Sequence, residues 1–299
     1  MKSLTWRSVA QGLMVALWLA VPFTTGELID RSVVNASGAI RGTIAVGGWA
    51  IWAATLTAAL IRRPVTLTLI RLAMSGATVA AVWSAVSAEH VSTIVLLFGV
   101  VVPTCAWLVS MNTTIGATYI DGASYGHERR FPLRPPVAIL IGPAPLAWAA
   151  AIFGISVGPL LLASEQWLWG AAVTAVGVPA SIGATRALHG LSRRWLVFVP
   201  AGAVVHDFMT TREPFLMMRN TIASFGAAPS DSDLDGADLL DATQRASGIV
   251  VMIELDKAVE AVPRAARGEV ARLRLVNRVA IVPTRPGAAV AEARSRNIG

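Results

Sequence analysis

The sequence predicts an α-helical integral membrane bundle of six transmembrane helices, followed by a small cytosolic β-rich domain closed by a C-terminal helix. Three observations carry this reading. Of the 299 residues, 55% are hydrophobic and only 14% charged, and the mean hydropathy is +0.61, whereas a soluble domain carries about 25% charged residues. The apolar residues gather into six runs of the length a helix needs to cross the hydrocarbon core, about 20 residues. From Trp195 onward the pattern changes to short β-branched and aromatic runs separated by turn residues.

The six spans are Val9–Thr25, Gly42–Ile61, Val65–Ala88, Val91–Met111, Val137–Ala163 and Gln166–Thr185. They make residues 1–190 the membrane domain and 191–299 the cytosolic one. Lys2 and Arg7 precede the first span as they would a signal peptide, but Thr24 and Gly26 form a poor cleavage site, so an uncleaved helix is expected. Arg71 lies within the first two turns of the third span, where a long side chain reaches the interface.

Arginine and lysine orient the bundle. They stand at the N-terminus, at Arg62 and Arg63, at Arg129, Arg130 and Arg134, and at Arg186, Arg193 and Arg194. The intervening loops hold Arg31 and Arg41 beside Glu27 and Asp30, then Glu89 with His90, then Glu165. This alternation puts both termini in the cytoplasm and the protein in the inner (plasma) membrane. Trp6, Trp107, Trp167 and Trp195 fall near helix ends, as interfacial tryptophans do.

Residues 1–194 carry 13 basic and 6 acidic side chains, and residues 195–299 carry 12 of each, so the whole net charge of +7 lies in the apolar part. The charge therefore speaks for anionic lipid headgroups near Arg62, Arg63, Arg129, Arg130, Arg193 and Arg194, and against nucleic acid. Twenty-three of the 25 basic residues are arginine, a skew that fits GC-rich coding. The one cysteine, Cys105, excludes an intramolecular disulfide and a multi-cysteine zinc site.

Gly154 and Gly158 form a GxxxG in the fifth span. Gly170, Thr174, Gly177, Ser181 and Ala184 form a stripe of small residues on the sixth, along which another helix approaches closely. Pro103, Pro143, Pro145, Pro159 and Pro179 are expected to kink the last three spans.

In the tail, Trp195–Val199, Pro200–Gly202 and Ala203–His206 read as a hairpin. Further strands are expected at Phe215–Phe225, Gly248–Leu255, Ala271–Val276 and Arg278–Val282. Ser232 is expected to cap a short helix over Leu234–Arg245, and Ala288–Arg296 reads as the closing helix. The strings RWLVFVPAGAVVHD (194–207) and VNRVAIVPTRPGAAVAEARSRN (276–297) resemble a bacterial pleckstrin-homology-like (PH-like) domain. The chain is similar to multi-pass membrane proteins of GC-rich actinobacteria that end in such a module. The resemblance implies a small β-sandwich or barrel closed by a C-terminal helix. Lys257, Arg264 and Arg267 are interleaved with acids, which favours a structural or oligomerisation role over headgroup binding by the module.

Motifs that carry chemistry are few. Gly122-Ala123-Ser124-Tyr125-Gly126, between Asp121 and His127, has the spacing of a nucleophile elbow, but such an elbow needs a strand-to-helix turn and this segment reads as a loop. Six helices with Ser124 and His189 match rhomboid proteases in helix count only. His90, His127, His189 and His206 lack ligand spacing, and His206-Asp207 reads as a strand end leading into a turn. Asp231, Asp233, Asp235 and Gly236 begin like a calcium loop, but Ala242 stands where the bidentate Glu belongs. Ser75, Thr78, Ser84, Ser87 and Thr93 suit either a passive pore or helix–helix hydrogen bonds. No catalytic, cofactor-binding or metal-ligating residue is therefore assigned. The expected function is a non-catalytic scaffold or accessory subunit of a cell-envelope assembly, with a protein partner or a homo-oligomer. A passive channel or small-molecule transporter is the alternative, and a membrane-associated serine hydrolase a third.

Overall fold

The computed structural model describes residues 6–229, 232, 234, 236–264 and 272–299. Lys2, Arg267 and the acidic string Asp231, Asp233 and Asp235 lie outside the described residues. The chain forms two compact units, Met1–Tyr119 with Ala144–His189, and Ile120–Pro143 with Gly190–Gly299.

The first unit is helical: α1 (Trp6–Ser32), α2 (Gly38–Leu60), α3 (Pro64–Ser87) and α4 (Thr93–Met111) are followed by the short α5 (Thr113–Asp121). Serines 37 and 92 cap α2 and α4, accepting from Ile40 N and Val95 N, and Pro64 opens α3. Helix α1 runs seven residues past the expected Thr25, aided by the Glu27–Arg31 pair one turn apart. The fifth span is broken at Gly142: α6 (Val137–Ile141), which belongs to the second unit, ends there and α7 (Pro143–Ala163) restarts on a proline. Helix α8 (Trp167–Leu191) completes the set. Six helices among the described residues are long and apolar enough to cross a membrane: α1, α2, α3, α4, α7 and α8.

The small-residue stripe of α8 meets the GxxxG of α7. A Cβ on Gly154 would run into the Gly177 carbonyl, and one on Gly158 into Thr174. The two backbones touch, which only glycine permits.

Among the described residues the second unit holds eight strands. One antiparallel sheet runs β1 (Arg129–Pro132), β2 (Trp195–Val199), β3 (Gly202–His206), β4 (Phe215–Met218). The other has the order β5 (Ile222–Ala227), β7 (Val251–Ala261), β8 (Arg274–Ile281), β6 (Leu239–Asp241), with β6 parallel to β8. Phe131, Leu196, Phe198, Val205 and Met217 of the first sheet share one core with Phe225, Ile253, Val276 and Ile281 of the second. The closing helix α9 (Pro286–Ser295) adds Ala289 and Ala293 to it.

The sheets are sewn together at two places. Arg134 N donates to Val282 O at 2.8 Å and Thr284 N to Pro132 O at 2.9 Å. At the other place Arg212 N donates to Val262 O at 3.2 Å and Arg264 N to Thr210 O at 2.8 Å.

Four expectations need correction here. The loop expected around residues 122–126 is loop at that motif, but its flanks form α5 and strand β1, which pairs Phe131 with Leu196 in register. The strand expected over Phe215–Phe225 is two strands, β4 and β5, in different sheets, because a 3-10 turn at Arg219–Thr221 redirects it. The helix expected over Leu234–Arg245 gives way to β6, because burying Leu239 and Leu240 against β8 outweighs local helix preference. In place of strands at Ala271–Val276 and Arg278–Val282 there is one, β8, over Arg274–Ile281.

Candidate functional site

A backbone carbonyl away from water needs a donor, and helices leave spare carbonyls at their C-terminal ends and four residues before a proline. Several polar side chains of the first unit donate at such places. Pro22 has no N–H for Trp18 O, and Trp52 Nε1 of α2 donates to that oxygen at 3.0 Å. Trp18 Nε1 donates in return to Trp52 O at 3.0 Å. Pro103 likewise leaves Gly99 O without its helical donor, and the buried Thr25 hydroxyl of α1 donates to it at 2.9 Å.

Helix ends are treated in the same way. Ala59 O, in the last turn of α2, accepts from the Tyr119 hydroxyl at 2.6 Å and from Gln11 Nε2 at 3.2 Å, and Arg62 Nε donates to Gln11 Oε1 at 3.0 Å. Burial pushes the Tyr119 phenol up to about 12, against the opposing pull of Arg62 and Gln11. Arg71 Nε donates to Ser110 O at 3.1 Å, so its positive charge sits at the C-terminus of α4, where the helix dipole favours it. One such bond reaches a mid-helix carbonyl: Ser181 Oγ of α8 donates to Ala151 O of α7 at 2.7 Å.

In the second unit the corresponding feature is an ion pair. Arg194 Nε and Nη2 each donate to one Asp207 carboxylate oxygen at 2.7 Å, and both side chains are fully buried. Arg194 also donates to Arg134 O at 3.0 Å and to Ala242 O at 3.5 Å. Asp207 accepts further from Met209 N and from the Thr210 hydroxyl. One buried cluster thus joins the inter-helix segment to three places in the tail. On the other face of the first sheet Trp195 stacks on His206, ring centroids 5.2 Å apart, with the Arg130 guanidinium over the indole at 5.3 Å. Burial, helped by the Arg193 and Arg130 charges and opposed by Asp207, holds His206 below its ordinary value.

Two expectations of the interfacial kind are corrected. Arg194 is not available to headgroups, because it is fully buried against Asp207, and Trp195 is a buried strand residue, 9% exposed. Arg130 pairs with Glu128 at 3.1 Å and Arg129 with Asp121 at 3.3 Å.

Among the described hydrogen bonds Ser124 Oγ pairs with Asp121 Oδ1, at 3.2 Å, and not with His127. The same Asp121 oxygen accepts from Arg130 N, so the carboxylate organises a loop. His189 Nδ1 meets the Thr68 hydroxyl at 3.2 Å. Ser75 and Thr78 donate to carbonyls of their own helix, Leu72 O and Met74 O. Cys105 is half-buried in α4. Asp207 does follow the end of β3, as read from the sequence, and opens a turn; that it is also one half of a buried ion pair is visible only in the fold. Thr25, Trp52 and Tyr119 escaped sequence reasoning, although Pro22 and Pro103 mark the carbonyls that two of them fill. No family model, curated protein or solved structure matches the chain.

Proposed function

We propose that the chain is a multi-pass protein of the cell inner membrane with both termini cytoplasmic. In this reading it is a non-catalytic scaffold or accessory subunit of a cell-envelope assembly, with a PH-like β module as the part that meets its partner. The observation that carries it is the use of the polar side chains: Trp18, Trp52, Thr25, Tyr119, Arg71 and Ser181 all donate to backbone carbonyls of neighbouring helices. Such groups stiffen a bundle and leave their polar atoms engaged.

The β module supports the same reading. Antiparallel pairing of β1 with β2 requires residues 129–132 and 195–199 to lie in one compartment, so the α7–α8 hairpin between them returns the chain to the side it left. The chain consequently passes between helices and module three times, before β1, after it and before β2. A module so fastened suits a fixed assembly surface better than a tethered lure.

The test is purification from the native host in mild detergent after cross-linking. A partner recovered at a fixed ratio, unaffected by Ser124→Ala, is the expected result. A homo-oligomer without partners that gives flux in liposomes would favour the passive channel instead, and loss of a serine-directed label in Ser124→Ala would favour a hydrolase.

A further inference from the structure

Pro22 divides α1 into two parts that are anchored to different helices. Ahead of it, Trp18 is bound to α2 by the reciprocal pair of bonds with Trp52, both 3.0 Å. Beyond it, Thr25 is bound to Gly99 of α4 at 2.9 Å, and Leu28 fills the space a Cβ at Gly99 would take. Gly99 in turn lies on the far side of Pro103, which removes its helical donor. Prolines are where helices bend. A bend of α1 at Pro22 carries Thr25 with it, and a bend of α4 at Pro103 carries Gly99. While the Thr25–Gly99 bond holds, neither helix bends alone.

We propose that Pro22 and Pro103 are two coupled weak points, held straight by Thr25 on Gly99 and by Trp52 on Trp18, so that loss of the Thr25 latch in α1 frees α4 to bend. The latches explain why one indole, of Trp52, and one hydroxyl, of Thr25, converge on the two carbonyls that the prolines vacate. The device shares the Trp18, Trp52 and Thr25 bonds with the scaffold reading, but it lies within the helices and its test needs no partner.

The experiment uses the full chain, purified, with Cys105→Ser. Spin labels are placed at exposed positions: Val9 and Arg31 on α1, about 33 Å apart along a straight helix, and Ile94 and Leu108 on α4, about 21 Å apart. Thr25→Val is expected to abolish the single narrow distance across α4, although the substitution is in α1, and Thr25→Ser to retain it. Pro103→Ala added to Thr25→Val is expected to restore the narrow distance, because the new backbone N–H meets Gly99 O. An α4 distance in Thr25→Val as narrow as in the parent overturns the coupling, and so does broadening that Pro103→Ala leaves in place. Should Thr25→Val not fold, Trp52→Phe is read across α1. Broadening there is expected, and an unchanged distance overturns the latch.

Discussion

Arg194 grips Asp207 with two parallel bonds of 2.7 Å, and neither side chain is reached by solvent. Two charges leave water only if each is fully matched. Here Arg134 O and Ala242 O take further guanidinium protons, and Met209 N and Thr210 take up the carboxylate. Removing one partner strands the other. Asp207→Asn or Arg194→Met is expected to destabilise the β module by about 3–5 kcal/mol. Arg194→Lys is expected to lose much of the same, because an ammonium cannot make the bidentate fork. Chemical denaturation of the purified chain, followed by the fluorescence of Trp195 in β2, measures each.

The module needs its strand from between the helices. Phe131 packs edge-on against Phe198, ring centroids 5.6 Å apart, and Leu133 N donates to Arg194 O at 3.0 Å. Residues 195–299 alone lack β1 and Arg194, and are expected to give a β-rich circular dichroism spectrum without a cooperative melt. Fusing residues 128–135 and restoring residues 190–194 is expected to bring back a sharp transition.

Much of this was legible in the sequence, and the rest fails for physical reasons. The six apolar helices announce themselves by length and hydropathy, and the stripe on α8 by its spacing. Strand β1 does not, because it is four residues long, carries two arginines and a proline, and finds its partner β2 more than sixty residues later. Arg193 and Arg194 look alike as sequence, and only the fold buries the second. The prolines at 22 and 103 are plain to read, but which side chain fills the vacated carbonyl depends on which helices become neighbours.

Acid is expected to weaken the β module through His206. Folding holds its pKa below the ordinary 6.5, chiefly by burial. Between the two values the unfolded chain binds more protons, so this contribution is fully present above about 6.5 and is lost as the pH falls toward the folded-state value. Unfolding midpoints taken from about pH 7.5 to about pH 5.5 should decline, and His206→Phe, which keeps a ring on Trp195, should flatten the decline.

Crowding the α7–α8 contact should be felt at once. The Gly177 and Gly154 backbones touch, so Gly177→Val forces the helices apart and breaks the Ser181–Ala151 bond beside it. A loss of about 1–3 kcal/mol is expected, in the range of overpacked cores. Gly183→Val, where a Cβ meets nothing within 4 Å, is expected to be near neutral. Thermal shift in detergent separates the two.

The proposed membrane arrangement stands on an even number of crossings between β1 and β2, and on positive charge at one face. Single cysteines at Asn35, Tyr125 and Glu213, all exposed, placed in a Cys105→Ser background and challenged with an impermeant thiol reagent on intact cells, test it most directly. Labelling of Asn35→Cys in intact cells, with Tyr125→Cys and Glu213→Cys labelled only after permeabilisation, is the expected result. Labelling of Tyr125→Cys and Glu213→Cys from opposite sides, or of either together with Asn35→Cys from outside, would contradict it.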